Sequence, residues 1–126
     1  SERFATSVVL PIAYLVKKRN LETGEVTVVD IEGDVRGKDV IIFDDIINTG
    51  STAIRTSQFL KNHGAKKIYF LATHAVLAGD AAELFAKSPI DHVIVTDTIA
   101  IPKAKLFRKL SLSSVAPFLA GAIKKL

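Results

Sequence analysis

Cysteine is absent from this chain, so neither a disulfide framework nor thiolate chemistry is open to it. A cytoplasmic location is the expectation that follows. Methionine is absent as well, which fits a piece of something longer. No apolar run approaches the roughly 20 residues that a membrane-spanning helix requires. The opening "SERFATSVVL" lacks the basic region, long apolar stretch and cleavage site of a signal peptide, so no membrane partner is expected. Neither sign of charge dominates: 17 Lys and Arg stand against 13 Asp and Glu, a net charge of +4. That surplus would suit an anionic ligand or nucleic acid. The basic residues are scattered, however, and only "KAKLFRK" at 103–109 is dense. A soluble surface with extra lysines is expected, and no nucleic-acid partner. Repeats, low-complexity tracts and interdomain linkers are missing too.

What remains is 126 residues, enough for one domain around a single core, with an ordinary 48% apolar and 24% charged content. Strands are predicted at 12–16, 25–31, 40–43, 67–74, 92–97 and 109–112. The first two form an antiparallel hairpin, joined by the polar "KKRNLETG", which suits a mobile loop or hairpin tip. "VIIF" at 40–43 is apolar without alternation, as expected of a central strand covered on both faces. A helix should start at Ser51 or Thr52 and stop at Gly64; another covers 80–87 with Asp80 as its cap. A last helix starts near Ser114, with Pro117 tolerable only in its first turn. Strand, helix, strand, helix, strand predicts an α/β fold with a mostly parallel sheet flanked by helices.

The chemistry concentrates in "VIIFDDIINTGSTA", where a buried strand runs into two acids and then a small, hydroxyl-rich turn. In open α/β sheets ligands bind at the carboxyl ends of the strands, where Asp44 and Asp45 fall. Consecutive strand residues point to opposite faces, so the two carboxylates can only flank a ligand. Carboxylates suit sugar hydroxyls, and hard cations such as Mg²⁺ held directly or through water. The turn suits phosphate. Gly50 permits close backbone approach, successive N–H groups form an anion nest, and the next helix offers its positive end. Thr49, Ser51 and Thr52 add hydroxyl donors. The alternative is that Ser51 or Thr52 merely caps the helix while both acids are solvated. Both halves together favour one ligand, a sugar phosphate.

This stretch resembles the phosphoribosyl-pyrophosphate motif of the type I phosphoribosyltransferase fold: an apolar strand, two acids, two apolar residues, a polar residue, then Thr-Gly-x-Thr. Three further stretches narrow the resemblance to the ribose-phosphate pyrophosphokinases: "AYLVKKRN" at 13–20, "ATHAVLAGDA" at 72–81 and "VIVTDTIAIP" at 93–102. It runs over nearly the whole chain, from about Arg3, and implies a single phosphoribosyltransferase-like domain over 1–126, the carboxyl-terminal part of a two-domain enzyme. The chain would then begin inside that domain's first helix. The family's acidic-glycine segment and metal-binding His are missing from it.

The resemblance implies transfer of a diphosphoryl group from ATP to the anomeric hydroxyl of ribose 5-phosphate, with Mg²⁺, in a homo-oligomer. It puts Lys17 and Arg19 on the catalytic flexible loop; without it, "KKR" would read as a solvated basic turn. It puts Asp44 and Asp45 on the ribose hydroxyls and, directly or through water or substrate, on the metal. Asn48, Thr49, Gly50, Ser51 and Thr52 complete the ribose 5-phosphate site. Asn48 stands where many members have Asp, and Ser51 where Gly is common. His74 is expected to order the sheet edge, His63 and His92 to lie at the surface or a strand end, and Thr96, Asp97 and Thr98 to border an anion site. Two alternatives remain: a phosphoribosyltransferase that consumes phosphoribosyl pyrophosphate, and a non-catalytic or regulatory protein of the same fold.

Overall fold

The computed structural model describes residues 2–19, 21 and 26–126, with Phe4, Lys17, Arg19, Val26 and Thr27 described by their backbone only. In chain order the elements are α1 (Glu2–Ser7), β1 (Tyr14–Arg19), β2 (Val26–Glu32), β3 (Val40–Ile47), α2 (Ser51–Asn62) and β4 (Ile68–Ala75). There follow α3 (Ala81–Lys87), β5 (His92–Thr96), a 3₁₀ turn (Lys103–Lys105), β6 (Leu110–Ser113) and α4 (Ala116–Ile123). Strands β3, β4, β5 and β6 form one parallel sheet in that order, and β1 and β2 form a separate antiparallel hairpin.

Each crossover steps to the next strand in the same direction. The right-handed rule therefore puts α2, α3 and the 97–109 connection on one face of the sheet. Strand alternation sends Ile68, Phe70, Ala72, Val93 and Val95 to that face, where all are buried. Phe85 of α3 is the centre of this layer, with ring centroids 5.6 Å from Phe70 and 6.3 Å from Phe107. Leu15 and Ile31 bring the hairpin against the same core.

Several sequence expectations need correction. β3 is an edge strand of its sheet, and Ile41 is exposed, so "VIIF" is not covered on both faces. Its unbroken apolar run misled because an edge strand with Val40 and Ile42 packed against the core looks the same locally as a central one. β1 starts at Tyr14 rather than at Ile12 and takes in Lys17, Lys18 and Arg19, whose backbones pair with Val28, Thr27 and Val26. A β-bulge between Val16 and Lys17 shifts the register there. The rest of the expected loop, Asn20 and 22–25, lies outside the described residues. Asp80 holds the cap position of α3, but its side chain makes no capping bond. Gly64 does end α2, at φ 88°, and Pro117 lies in the first turn of α4.

Candidate functional site

β3 continues past its apolar half because β4 keeps pairing with it. Ile46 lies beside His74 and Ile47 beside Ala75. The N–H groups of Val76 and Leu77 then both donate to Ile47 O, at 3.0 and 3.1 Å. Asp44 and Asp45 are thus exposed residues inside the strand rather than beyond it. The Asp45 N–H donates to Asp44 Oδ1 at 2.9 Å, which turns the first carboxylate along the chain toward the turn.

The turn itself is built on Gly50. Its φ of 75° is a left-handed conformation that favours glycine, and it is the residue that starts α2. A Cβ placed there would lie 2.2 Å from Phe85 Cε2, so space as well as conformation excludes a side chain. The first helical bond runs from Ile54 N–H to Gly50 O at 3.0 Å, and no side chain caps this end of the helix. The N–H groups of the first turn are therefore not taken up by a cap, contrary to the alternative in which Ser51 or Thr52 supplies one. Thr49 and Ser51 hydroxyls lie 3.3 Å apart.

A small open cavity of about 130 Å³ joins the two halves: Asp44, Asn48, Thr49, Gly50, Ser51 and Thr52 all line it. Asp45 does not, as its place on the other face of the strand requires. A larger groove of about 1220 Å³ runs alongside, between the hairpin and the edge of β3, and reaches Asp44 and Thr52. Lys17 and Arg19 lie on β1; their side chains are outside the described residues, so their distance from the turn is not part of this geometry. Among the described residues no three His, Asp or Glu side chains gather as a metal cage. Asp44 alone in the cavity fits a hard cation held largely by water and ligand oxygens, the usual habit of Mg²⁺.

Residues without any motif hold the turn from below. The buried Leu77 adopts φ 50°, its N–H bonded to Ile47 O and its carbonyl accepting from Lys105 Nζ. The Ala78 N–H donates to Asn48 O at 3.0 Å. Sequence reasoning missed Phe85, Leu77 and Lys105, because nothing in their local pattern says that they support a turn far away in the chain.

The neighbouring strand ends hold different roles from those expected. The Ser114 hydroxyl and then the Val115 N–H, at 2.9 Å, hold the Asp97 carboxyl below its ordinary pKa, so this acid fastens the start of the last helix. Thr96 and Thr98 turn their hydroxyls to Thr73 O rather than outward to an anion. His63 stacks on Phe59 and His92 on Tyr69, the surface and strand-end roles read from the sequence.

Comparison with known proteins identifies the family and the fold. The family model described as "Phosphoribosyl synthetase-associated domain" matches residues 5–126. The ribose-phosphate pyrophosphokinase of Caldanaerobacter subterraneus is 42% identical over 98% of this chain and 39% of its own length. That of Helicobacter hepaticus is 39% identical over 100% of this chain and 40% of its own. The crystal structure of phosphoribosylpyrophosphate synthetase from Mycobacterium smegmatis superposes with a TM-score of 0.85 at 36% identity, over 98% of this chain and 39% of that one. The chain thus spans about two fifths of the length of these relatives. No helix among the described residues is long and apolar enough to cross a membrane. With a matching model over nearly its whole length, the chain belongs to the phosphoribosyl synthetase-associated domain family.

Proposed function

We propose that this chain supplies the ribose 5-phosphate site of a ribose-phosphate pyrophosphokinase. The observation that carries the reading is the single cavity shared by Asp44 and the turn from Asn48 to Thr52. The phosphate sits on Gly50 and the start of α2, taking N–H donors and the hydroxyls of Thr49, Ser51 and Thr52. Asp44 accepts from ribose hydroxyls, and Asp45 acts from the other face of the strand through water or the metal. Asn48 still donates and accepts beside the sugar, with one charge fewer than an Asp would bring.

The reaction moves the β,γ-diphosphoryl group of ATP to the anomeric oxygen of ribose 5-phosphate. The bond from the α-phosphate bridging oxygen to Pβ breaks, AMP leaves, and the hydroxyl proton passes to solvent. Such transfers depend mostly on positioning and on neutralising charge as it develops. Lys17 contributes a compact charge and Arg19 a bidentate fork, both at the end of a strand next to a bulge. Bound Mg²⁺ supplies further neutralisation of the triphosphate. The relatives carry well over half of their length outside the matched region, so we propose that turnover needs the rest of such a chain and that the molecule works as a homo-oligomer.

The test is AMP formation by the protein as its gene encodes it, with ATP, ribose 5-phosphate and Mg²⁺. AMP should appear only when the sugar phosphate is present. Lys17→Ala should lower turnover by about 100-fold or more with a small change in KM. Formation of nucleotides from phosphoribosyl pyrophosphate and free bases, without AMP release from ATP, would replace this reading with that of a phosphoribosyltransferase.

A further inference from the structure

At the carboxyl end of β4, His74 joins a hydroxyl cluster that the reading above leaves unused. Its Nδ1 lies 2.9 Å from Thr98 Oγ1. Thr98 Oγ1 donates to Thr73 O at 3.1 Å and accepts from Thr96 Oγ1 at 2.9 Å. Thr96 Oγ1 also lies 2.7 Å from Thr73 O, so its one proton is shared between two acceptors. A threonine hydroxyl has a single proton to give and two lone pairs. With that proton on Thr73 O, the contact of Thr98 with His74 needs a proton from the ring. The opposite assignment sends the Thr98 proton to Nδ1 and leaves two oxygens facing each other at 3.1 Å with no hydrogen between them. One hydrogen bond of difference gives a preference of several-fold for the ring protonated at Nδ1.

That tautomer has a consequence on the other side of the ring. A neutral imidazole protonated at Nδ1 carries a lone pair at Nε2, and among the described residues no group bonds to Nε2. Asp44 lies opposite Ala72 and Ile46 opposite His74, so strand alternation sets Asp44 and His74 on the same face near the edge of the sheet; His74 itself does not line the cavity but flanks Ile46, which does. Both are acceptors. Two acceptors on one face recognise a group that brings protons, which a sugar hydroxyl does and a phosphate dianion does not.

We propose that Thr98 is a positioning residue that locks His74 with its proton on Nδ1, so that Nε2 accepts a hydroxyl of the bound sugar beside Asp44. This rests on the ribose 5-phosphate reading, and the experiment separates the two. The protein as its gene encodes it is labelled with ¹⁵N at histidine and backbone amides. Long-range proton–nitrogen spectra should show His74 with a protonated Nδ1 and an unprotonated Nε2, and Thr98→Val should lose that pattern while Thr98→Ser keeps it. Ribose 5-phosphate should move both the Gly50 amide and His74 Nε2; inorganic phosphate should move Gly50 alone. Thr98→Val should weaken ribose 5-phosphate five- to tenfold, leave phosphate unchanged, and be rescued by Thr98→Ser. A proton found on Nε2 overturns the inference. So does ribose 5-phosphate that shifts Gly50 and leaves Nε2 unmoved, although the sugar-phosphate site then stands. If ribose 5-phosphate moves neither, both readings fall.

Discussion

Gly50 shows how much one residue can carry. Two separate demands meet there: a φ of 75°, and a ring carbon of Phe85 where any Cβ would go. Gly37 has a similar φ of 70° with nothing within 4 Å of an added Cβ, so it isolates the conformational part. Gly37→Ala should therefore cost only about 1–2 kcal/mol in urea denaturation. Gly50→Ala should cost about 2–4 kcal/mol and also abolish phosphate binding at the turn. Equal losses for the two variants would show that Phe85 does not press on the turn. The glycine in "NTGST" was legible in the sequence as a turn residue. The aromatic ring beneath it was not, because Phe85 comes from another helix and its local pattern only says that it is buried.

Between elements, Asp91 ties the end of α2 to the start of β4. Its Oδ2 accepts the Ile68 N–H at 2.8 Å and meets Lys61 Nζ at 3.2 Å. Burial by itself would raise this carboxyl's pKa, but the Ile68 N–H and the Lys61 ammonium together outweigh it and hold the pKa below 3.8. A depressed carboxyl stabilises the fold fully above its unfolded pKa, and that contribution is lost as pH falls through the folded value. Asp91→Asn should therefore lower stability by about 1–2 kcal/mol at pH 7, the partial exposure of both partners keeping the figure modest. The gap between variant and parent should narrow from about pH 5 downward and close below the lowered pKa. Denaturant melts across that range measure it, and a gap that widens in acid would reverse the assignment. The ends of α2 and β4 were legible from Gly64 and the apolar run after it. The acid that joins them lies 30 residues from Lys61 and needed the fold to be seen.

At the scale of the molecule, the sheet is covered on one side. Phe70, Ala72, Val93 and Val95 are buried beneath the helices, whereas Tyr69, Leu71 and Ile94 on the other face are only half-buried. Parallel sheets ordinarily have both faces covered. α4 has no buried residue, and Phe118 and Ile123 are 78% and 67% exposed. Apolar surface of this kind marks a contact in soluble assemblies, and it agrees with the proposed homo-oligomer. Phe118→Glu combined with Ile123→Glu should lower the mass measured by light scattering at micromolar protein. A parent protein that is monomeric, or an unchanged assembly, would remove α4 from that role.

By itself the sequence determined the alternation of strands and helices, the acids that follow the apolar run of β3, and the small residues of the turn. These are local: periodicity, turn chemistry and a motif are written in neighbouring positions, and backbone geometry converts them directly into elements. Only the tertiary structure decided that β3 lies at an edge, that Asp44 rather than Asp45 shares the cavity with the turn, and that Phe85, Leu77 and Lys105 support it. It also brought Thr96, Thr98 and His74 together at one strand end. The physical reason is common to all of these. Which strand flanks which, which face a carboxylate takes, and which hydroxyl meets which ring depend on contacts between residues far apart in the chain, and such contacts leave no periodic trace in any one segment.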